Sequence, residues 1–545
     1  MRRQLTRLLI LALCAGALVI ACSSFLPRFR VGLTGRAAGP VTYYVSPAGH
    51  DDAAGTSPAT AWRTLRRASV AVLKPGDRLL LRARASYAGP LRLGPGDAGS
   101  AARPVRIGSY GDGRATVTSR GSGIVVTDTG GVTIADLTLR GDQATATGAG
   151  IDLFSNRTAG PRFGHVVIAR VTASGFGNGI AVAAAHAVGF RDVRINEARL
   201  TGNINAGLAA FGPAPSRRTP VYAHADLLIS HVTAAYNKGD PANRQVNSGN
   251  GIVLGSVAGA RIAWSVAHGN GGNGAALHEG PFGIWAYDAR GIVIDHNVAY
   301  GNGSNNVYDG GGFALDRNTS HCVLQYNLSY RNWGAGYQLY SSSQAAPSRD
   351  NTVRFNITSA DSRTQHESGA VIINGYAQNS AVYQNTIVTA SPPGPIHPAV
   401  YLGRAITGIV FLNNIFEGRV AAPLVLSAAA LGRRDALLQG NDYFPAGPMW
   451  LVRWGPRAYL SLPGFRAGTG QETLNGQPTG SSADPRLTGP VLRLAVNGQG
   501  RWQAGANFDL AHGSPARGSG LNLRRLGVRP GIAGPGAARP NIGAR

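Results

Sequence analysis

Apolar residues recur along this chain in short runs of four to six positions, alternating with polar ones. Period two over so short a run predicts strands with one buried face. One set of runs reads VTIADLTLRG (132–141), VVIARVTASG (166–175), LLISHVTAAYN (227–237), IVIDHNVAYGN (292–302), CVLQYNLSYRN (322–332), NTVRFNITSA (351–360), AVYQNTIVTA (381–390) and IVFLNNIFEG (409–418). Aligned, they place one apolar residue at Ile134, Ile168, Ile195, Ile229, Ala263, Ile294, Leu324, Val353, Val382 and Phe411. From Ile294 onward the steps are 30, 29, 29 and 29 residues, and three positions later stand Asn297, Asn327, Asn356, Asn385 and Asn414. A second set interleaves and opens with glycine, among them GIVV (123–126), GIDL (150–153), GIAV (179–182), GIVL (251–254), GIWA (283–286), GFAL (312–315) and GYQL (336–339).

Two or three short strands every ~29 residues describe a coil stacked on itself. No segment holds a 3.6-residue period over a helix length, and a propeller blade needs about 40 residues. The pattern therefore predicts an all-β chain, a parallel β-solenoid of about ten coils, roughly 50 Å long at ~4.8 Å per strand. The asparagine column reads as structural, because identical amides at one corner can bond along the axis. The second strand set jumps by 44 residues between Leu208 and Ile252. The extra residues, 211–227 and 237–250, predict loops on one face, often the binding face of a solenoid.

Alternation also sorts the side chains. Ile284 and Ala286 point inward, so Trp285 and Tyr287 point out; Phe313 and Leu315 are inside, with Ala314 and Asp316 out; Gln338 and Tyr340 face out beside them. Stacking puts Trp285, Ala314, Gln338 and Tyr401 in one outer column, and Tyr287, Asp316 and Tyr340 in the next. Aromatic rings exposed on a sheet suit the flat faces of sugars, unless flanking loops bury them. Within YDGGGFALD (308–316), three glycines make a corner between Tyr308 and Asp309 on one side and Asp316 on the other.

The chain resembles bacterial right-handed parallel β-helix repeat proteins of the pectin-lyase-like superfamily. YYVSPAGHDDAAGTSPATAWRTLRRA (43–68), LKPGDRLLLRA (73–83) and PVRIGSYGDG (104–113) resemble their entry segment, and GSPARGSGLN (513–522) with NIGAR (541–545) their closing one. The resemblance implies a strand and a short helix capping the solenoid. It covers nearly all of the chain but leaves the reaction open, since such proteins include lyases, hydrolases, epimerases and binders. The expected organisation is a capping segment at 41–115, the β-helix at 116–420 and a closing segment at 421–545.

Three chemistries fit the outer face, and lyase-type cleavage of an acidic polysaccharide is the one expected ahead of the other two. Lyase-type β-elimination on an acidic polysaccharide needs a base and a cation to neutralise the uronate. His278, Arg331 and Tyr308 are candidate bases, beside Asp309 and Asp316. Calcium-dependent relatives are expected to use clustered aspartates and a lysine, but position 314 is alanine where relatives of this subgroup carry aspartate, and no lysine follows Lys238. Asp309 and Asp316 alone are too few for calcium, which takes about six to eight oxygens. Glycoside hydrolysis would use two carboxylates, Asp309 with Asp316 or Glu279 with Asp288. The third possibility is polysaccharide binding without cleavage. Trp285, Tyr287, Gln338, Tyr340, Tyr401 and Tyr308 are the candidate substrate contacts in every case.

Composition adds the setting. Gly (76) is abundant and charged residues scarce (14%), which suits short strands and tight turns. Arg2, Arg3 and Arg7 precede an apolar run from Leu8 to Ala21, and VIAC (19–22) resembles a bacterial lipobox. At 14 residues the run is shorter than the roughly 20 of a membrane span, so residues 1–22 predict a signal peptide with lipidation at Cys22, then a linker at 23–40. An exported cell-envelope lipoprotein, or a secreted protein, is expected. Only Cys322 remains in the mature chain, which excludes a disulfide framework. The net charge of +25, almost all from arginine, suits an anionic partner. No basic cluster with interleaved aromatics points to nucleic acid, and a monomer is expected.

Overall fold

The computed structural model describes residues 39–142, 147–488, 508–523, 526 and 540–544, apart from 217, 219, 307, 364–368, 390–396 and 420–421. The signal segment, Cys22 and all but the end of the linker lie outside the described residues. From Thr42 onward the described chain belongs to one compact unit. It coils into a parallel β-solenoid with a sheet of 26 strands and a second of 13. The second sheet has one strand per turn, so the solenoid is longer than the ten coils read from the repeats.

The registers follow the apolar column. Ile134, Ile168, Ile195 and Ile229 stack in turn, and the column runs on through Ile294, Leu324, Val353, Val382, Phe411 and Leu438. The residue between Ile229 and Ile294 is Ile262, not Ala263. A one-residue slip would turn the strand's apolar set outward, so burial fixes the register. Every member is buried, each worth about 1.5–3 kcal/mol for a branched aliphatic side chain.

Two buried amide ladders run along the inside corners. Asn297, Asn327, Asn356, Asn385 and Asn414 donate from Nδ2 to the Oδ1 of the next member at 2.9–3.1 Å, and the ladder continues to Asn441. A second ladder of Asn203, Asn237, Asn270, Asn302 and Asn332 has amide contacts of 2.8–3.0 Å. Each ends on a carboxylate, Glu472 for the first and Asp361 for the second. The second ladder explains the glycine that opens the interleaved strands. A Cβ on Gly179, Gly207, Gly251, Gly283 or Gly312 would lie 2.8–3.1 Å from a ladder amide nitrogen, so the amide occupies the space a side chain would need.

The ends are closed by short helices. Leu65–Ser69 is capped by the Thr64 hydroxyl and packs Leu65 into the core. At the far end, Leu462–Thr469 buries Phe465 beside Trp454 and Tyr443. The C-terminal residues return along the outside: Gly543 N–H donates to the Asn413 carbonyl at 2.8 Å, and Phe508 and Ala544 cluster with Leu328, Ile357 and Val388.

Candidate functional site

Residues 250–263, 282–295, 311–315 and 337–341 form adjoining strands whose outer faces carry the candidate residues. Register aligns Val253, Trp285, Ala314, Gln338, Ile372 and Tyr401 in one outward column. The column exists as the alternation predicted, but it is not an exposed platform. Trp285, Gln338 and Tyr401 are 7–9% exposed and Ala314 is fully covered. Tyr401 clusters with Ala335 and Ile372, and Trp285 is covered by Asn250 and Phe282. Asn250 Oδ1 accepts the Trp285 indole N–H at 2.8 Å, and Phe282 closes on the same ring. Trp264 and Tyr326 are exposed in an outer corner stack with His296 and Phe355.

Two carboxylates meet over this floor. Asp309 sits in the left-handed region (φ 56°) and Gly310 follows at φ 75°, a pair that turns the chain sharply ahead of residues 311–315. The turn aims Asp309 across the sheet: Oδ2 accepts the Gly280 N–H at 2.8 Å, and Oδ1 accepts Gln338 Nε2–H at 3.2 Å. Asp316, at the other end of the strand, accepts the Arg317 N–H at 2.6 Å. Each keeps part of its surface open, yet protein encloses both on most sides. That enclosure pushes Asp309 up to about 6, against its two donors, and Asp316 up to about 7, with the charge of Asp309 as the next cause. Glu279 adds negative potential to both.

The flanking groups are anchored to one another. Asn247 N–H donates to Glu279 Oε1 at 2.9 Å, and Asn306 Nδ2–H reaches the Glu279 carbonyl at 3.0 Å, so three successive loops are tied together here. Tyr287 stacks on Trp285 with centroids 5.2 Å apart and lies against Gly255, where a Cβ would come within 2.4 Å of its ring. On Tyr287's other flank sits the Arg317 guanidinium, 5.4 Å from the ring centroid and 3.0 Å from Asp288 Oδ2.

The remaining candidates divide. His278 and Tyr308 are exposed on neighbouring loops with ring centroids 6.4 Å apart, and Tyr308 directly precedes Asp309. Tyr340 is half-buried one coil on from Asp316. Arg331 is corrected: it follows the Leu328–Tyr330 strand of the other sheet, exposed in a left-handed bend. The cation whose charge reaches Asp316 is Arg317, which sequence reasoning missed. Its signal was the 29-residue step to Asp288, one coil earlier on the same face. Asp288 itself is 3% exposed and held by Arg317 and Asn318, so it is not open as Asp309 and Asp316 are. Among the described residues no group of three or more His, Cys, Asp or Glu could hold a metal ion.

A family model described as a right handed beta helix region matches residues 221–416. The fold is a right-handed parallel β-helix. No curated protein matches the sequence. Among solved β-helices, a GH136 lacto-N-biosidase from Eubacterium ramulus is 15% identical over 74% of this chain and 67% of its own, with a TM-score of 0.50. The pectate lyase Pel9A is 13% identical over 93% of this chain and 96% of its own (TM-score 0.45). The A-module of the mannuronan C-5 epimerase AlgE4 from Azotobacter vinelandii is 17% identical over 71% and 91% (TM-score 0.42). At these identities the likeness concerns the β-helix fold alone.

Proposed function

We propose that this β-helix cleaves a polysaccharide by glycoside hydrolysis, with Asp309 and Asp316 as the reacting pair. The observation that carries the reading is two partly open carboxylates on one outward face, near enough that the charge of Asp309 helps raise Asp316. Asp316 holds its proton longer and protonates the leaving oxygen as the glycosidic C–O bond breaks. Asp309, ionised, takes the proton of the water whose hydroxyl ends on the anomeric carbon. Tyr287, Tyr340 and Tyr308 border the pair and supply surface for sugar rings.

Lyase-type β-elimination on an acidic glycan, the expectation from the sequence, fits this face less well. A uronate carboxylate would meet Asp309, Asp316 and Glu279, while Arg317 is committed to Asp288. The neighbours named above include both a glycoside hydrolase and a lyase, so the fold accommodates either reaction. The test is incubation of the purified protein with neutral and acidic polysaccharides. New reducing ends without unsaturated sugars are expected; unsaturated ends would replace this reading with elimination, and binding without any cleavage would remove both. Export and lipid anchoring through Cys22 complete the proposal, and they place the glycan in the cell envelope or outside it.

A further inference from the structure

The two aspartates are held very differently, and the difference rests on a residue of the next coil. Both oxygens of Asp309 receive a donor, from the Gly280 backbone at 2.8 Å and the Gln338 amide at 3.2 Å, whereas Asp316 receives one N–H, from Arg317. Gly280 comes from the preceding coil, so Asp309 is gripped from both sides along the axis. Gln338 is 7% exposed, in the column between Ala314 and Ile372, so water has little access to replace it. Its amide has a defined task there, because a buried donor left without an acceptor is costly.

We propose that Gln338 is a positioning residue that fixes the Asp309 carboxylate in its ionised, proton-accepting form and thereby leaves Asp316 as the proton donor. The proposal rests on the reading of Asp309 and Asp316 as the reacting pair. Hydrogen bonds to the charged form of a carboxylate favour that form. The donors on Asp309 oppose the effect of its burial and of Glu279, while Asp316 has Arg317 beside it and faces the negative charge of Asp309 and Glu279. Exposed His278 and Tyr308 lie on the adjoining loops, and the loop tied to Glu279 through Asn247 also carries Lys238, Asp240 and Arg244. Without the Gln338 donor, the two acids approach each other in proton affinity and the division of labour weakens.

The test compares Gln338→Leu, of similar volume, and Gln338→Glu, which adds a like charge, with the wild type. Thermal unfolding confirms that each variant folds. The titration of Asp309 is read by NMR on protein carrying 13C-labelled aspartate, without substrate, and the pH profile of kcat/KM is recorded in parallel. The Asp309 midpoint and the acid limb of the profile are expected to rise by about one pH unit in Gln338→Leu and further in Gln338→Glu. Turnover at pH 6 falls about fivefold with KM little changed, since a one-unit rise from about 6 lowers the ionised share of Asp309 there from about one half to about one tenth. Midpoints that stay put in both variants overturn the proposal, whatever happens to turnover. A midpoint that moves in a protein that cleaves no glycan supports the hold of Gln338 on Asp309 and removes the cleavage reading instead.

Discussion

Asp361 and Asp316 are both enclosed acids whose carboxyl groups burial pushes up, to about 6 and about 7. Asp361 ends an internal ladder. Its Oδ1 accepts the N–H and the amide of Asn332 at 2.8 and 2.9 Å, its Oδ2 accepts the Thr358 hydroxyl at 2.7 Å, and it is 2% exposed. Asp316 has one backbone donor, open surface and a second acid whose charge it feels. Displaced proton affinity therefore does not separate function from architecture in this molecule. Unfilled acceptor capacity on an accessible face does.

The largest effect that separates the two acids is expected at Asp316. Asp316→Asn lowers glycan cleavage by about 10²–10⁴-fold, measured as reducing ends, with circular dichroism unchanged. It also stabilises the fold above neutral pH. Folded Asp316 keeps its proton up to about pH 7, against 3.8 as the ordinary value, so the native chain holds the extra proton between these values. Its contribution is thus fully present below about pH 4 and lost as pH rises through about 7. Denaturant unfolding should show Asp316→Asn ahead of wild type by about 1–3 kcal/mol at pH 8 and level with it at pH 4. Equal stability at both pH values would show that Asp316 is better solvated than the structure indicates.

Gly312→Ala tests the architectural side. Its Cβ would lie 2.3 Å from Ser329 Oγ and 3.1 Å from the Asn332 amide, so the ladder beside Asp361 must shift at a cost of about 1–3 kcal/mol. Asp361→Asn is milder, about 1 kcal/mol in denaturant unfolding, since an amide oxygen still accepts from Asn332 and the Thr358 hydroxyl can turn. Cleavage per folded molecule should match wild type; a loss like that at Asp316 would break the contrast between the two acids. Smallest of all, Arg331→Ala should leave both stability and turnover within about twofold and 0.5 kcal/mol, as an exposed charge on the other sheet should.

The coil period, the inward column and the first asparagine ladder were legible because each repeats a residue type at a nearly constant step. The second ladder escaped notice because its step drifts, from 34 residues between Asn203 and Asn237 to 30 between Asn302 and Asn332. Its consequence, the glycine column, was visible, but the cause was not, since glycine records only the absence of a side chain. The Ala263 slip shows how little separates neighbouring registers when both residues are small enough to be buried. At the site, alternation put Trp285, Ala314 and Gln338 in one column correctly. It could not show that Asn250 and Phe282 close over Trp285, because that depends on how a loop folds back. Arg331 was one of three candidate bases that no spacing singled out, and the coil places it after a strand of the other sheet.

The amide ladders also bear on how such a chain can change length. Every asparagine hands its donor to the coil that follows, so each coil presents the same socket it occupies, and the series stops only where a carboxylate with no amide hydrogens takes the last place. A duplicated or deleted whole coil leaves that handover intact, whereas half a coil breaks it. Growth by whole coils could therefore lengthen the outer face on either side of Asp309 and Asp316 while their own coil, and the neighbours that supply Gly280 and Gln338, are carried along unchanged.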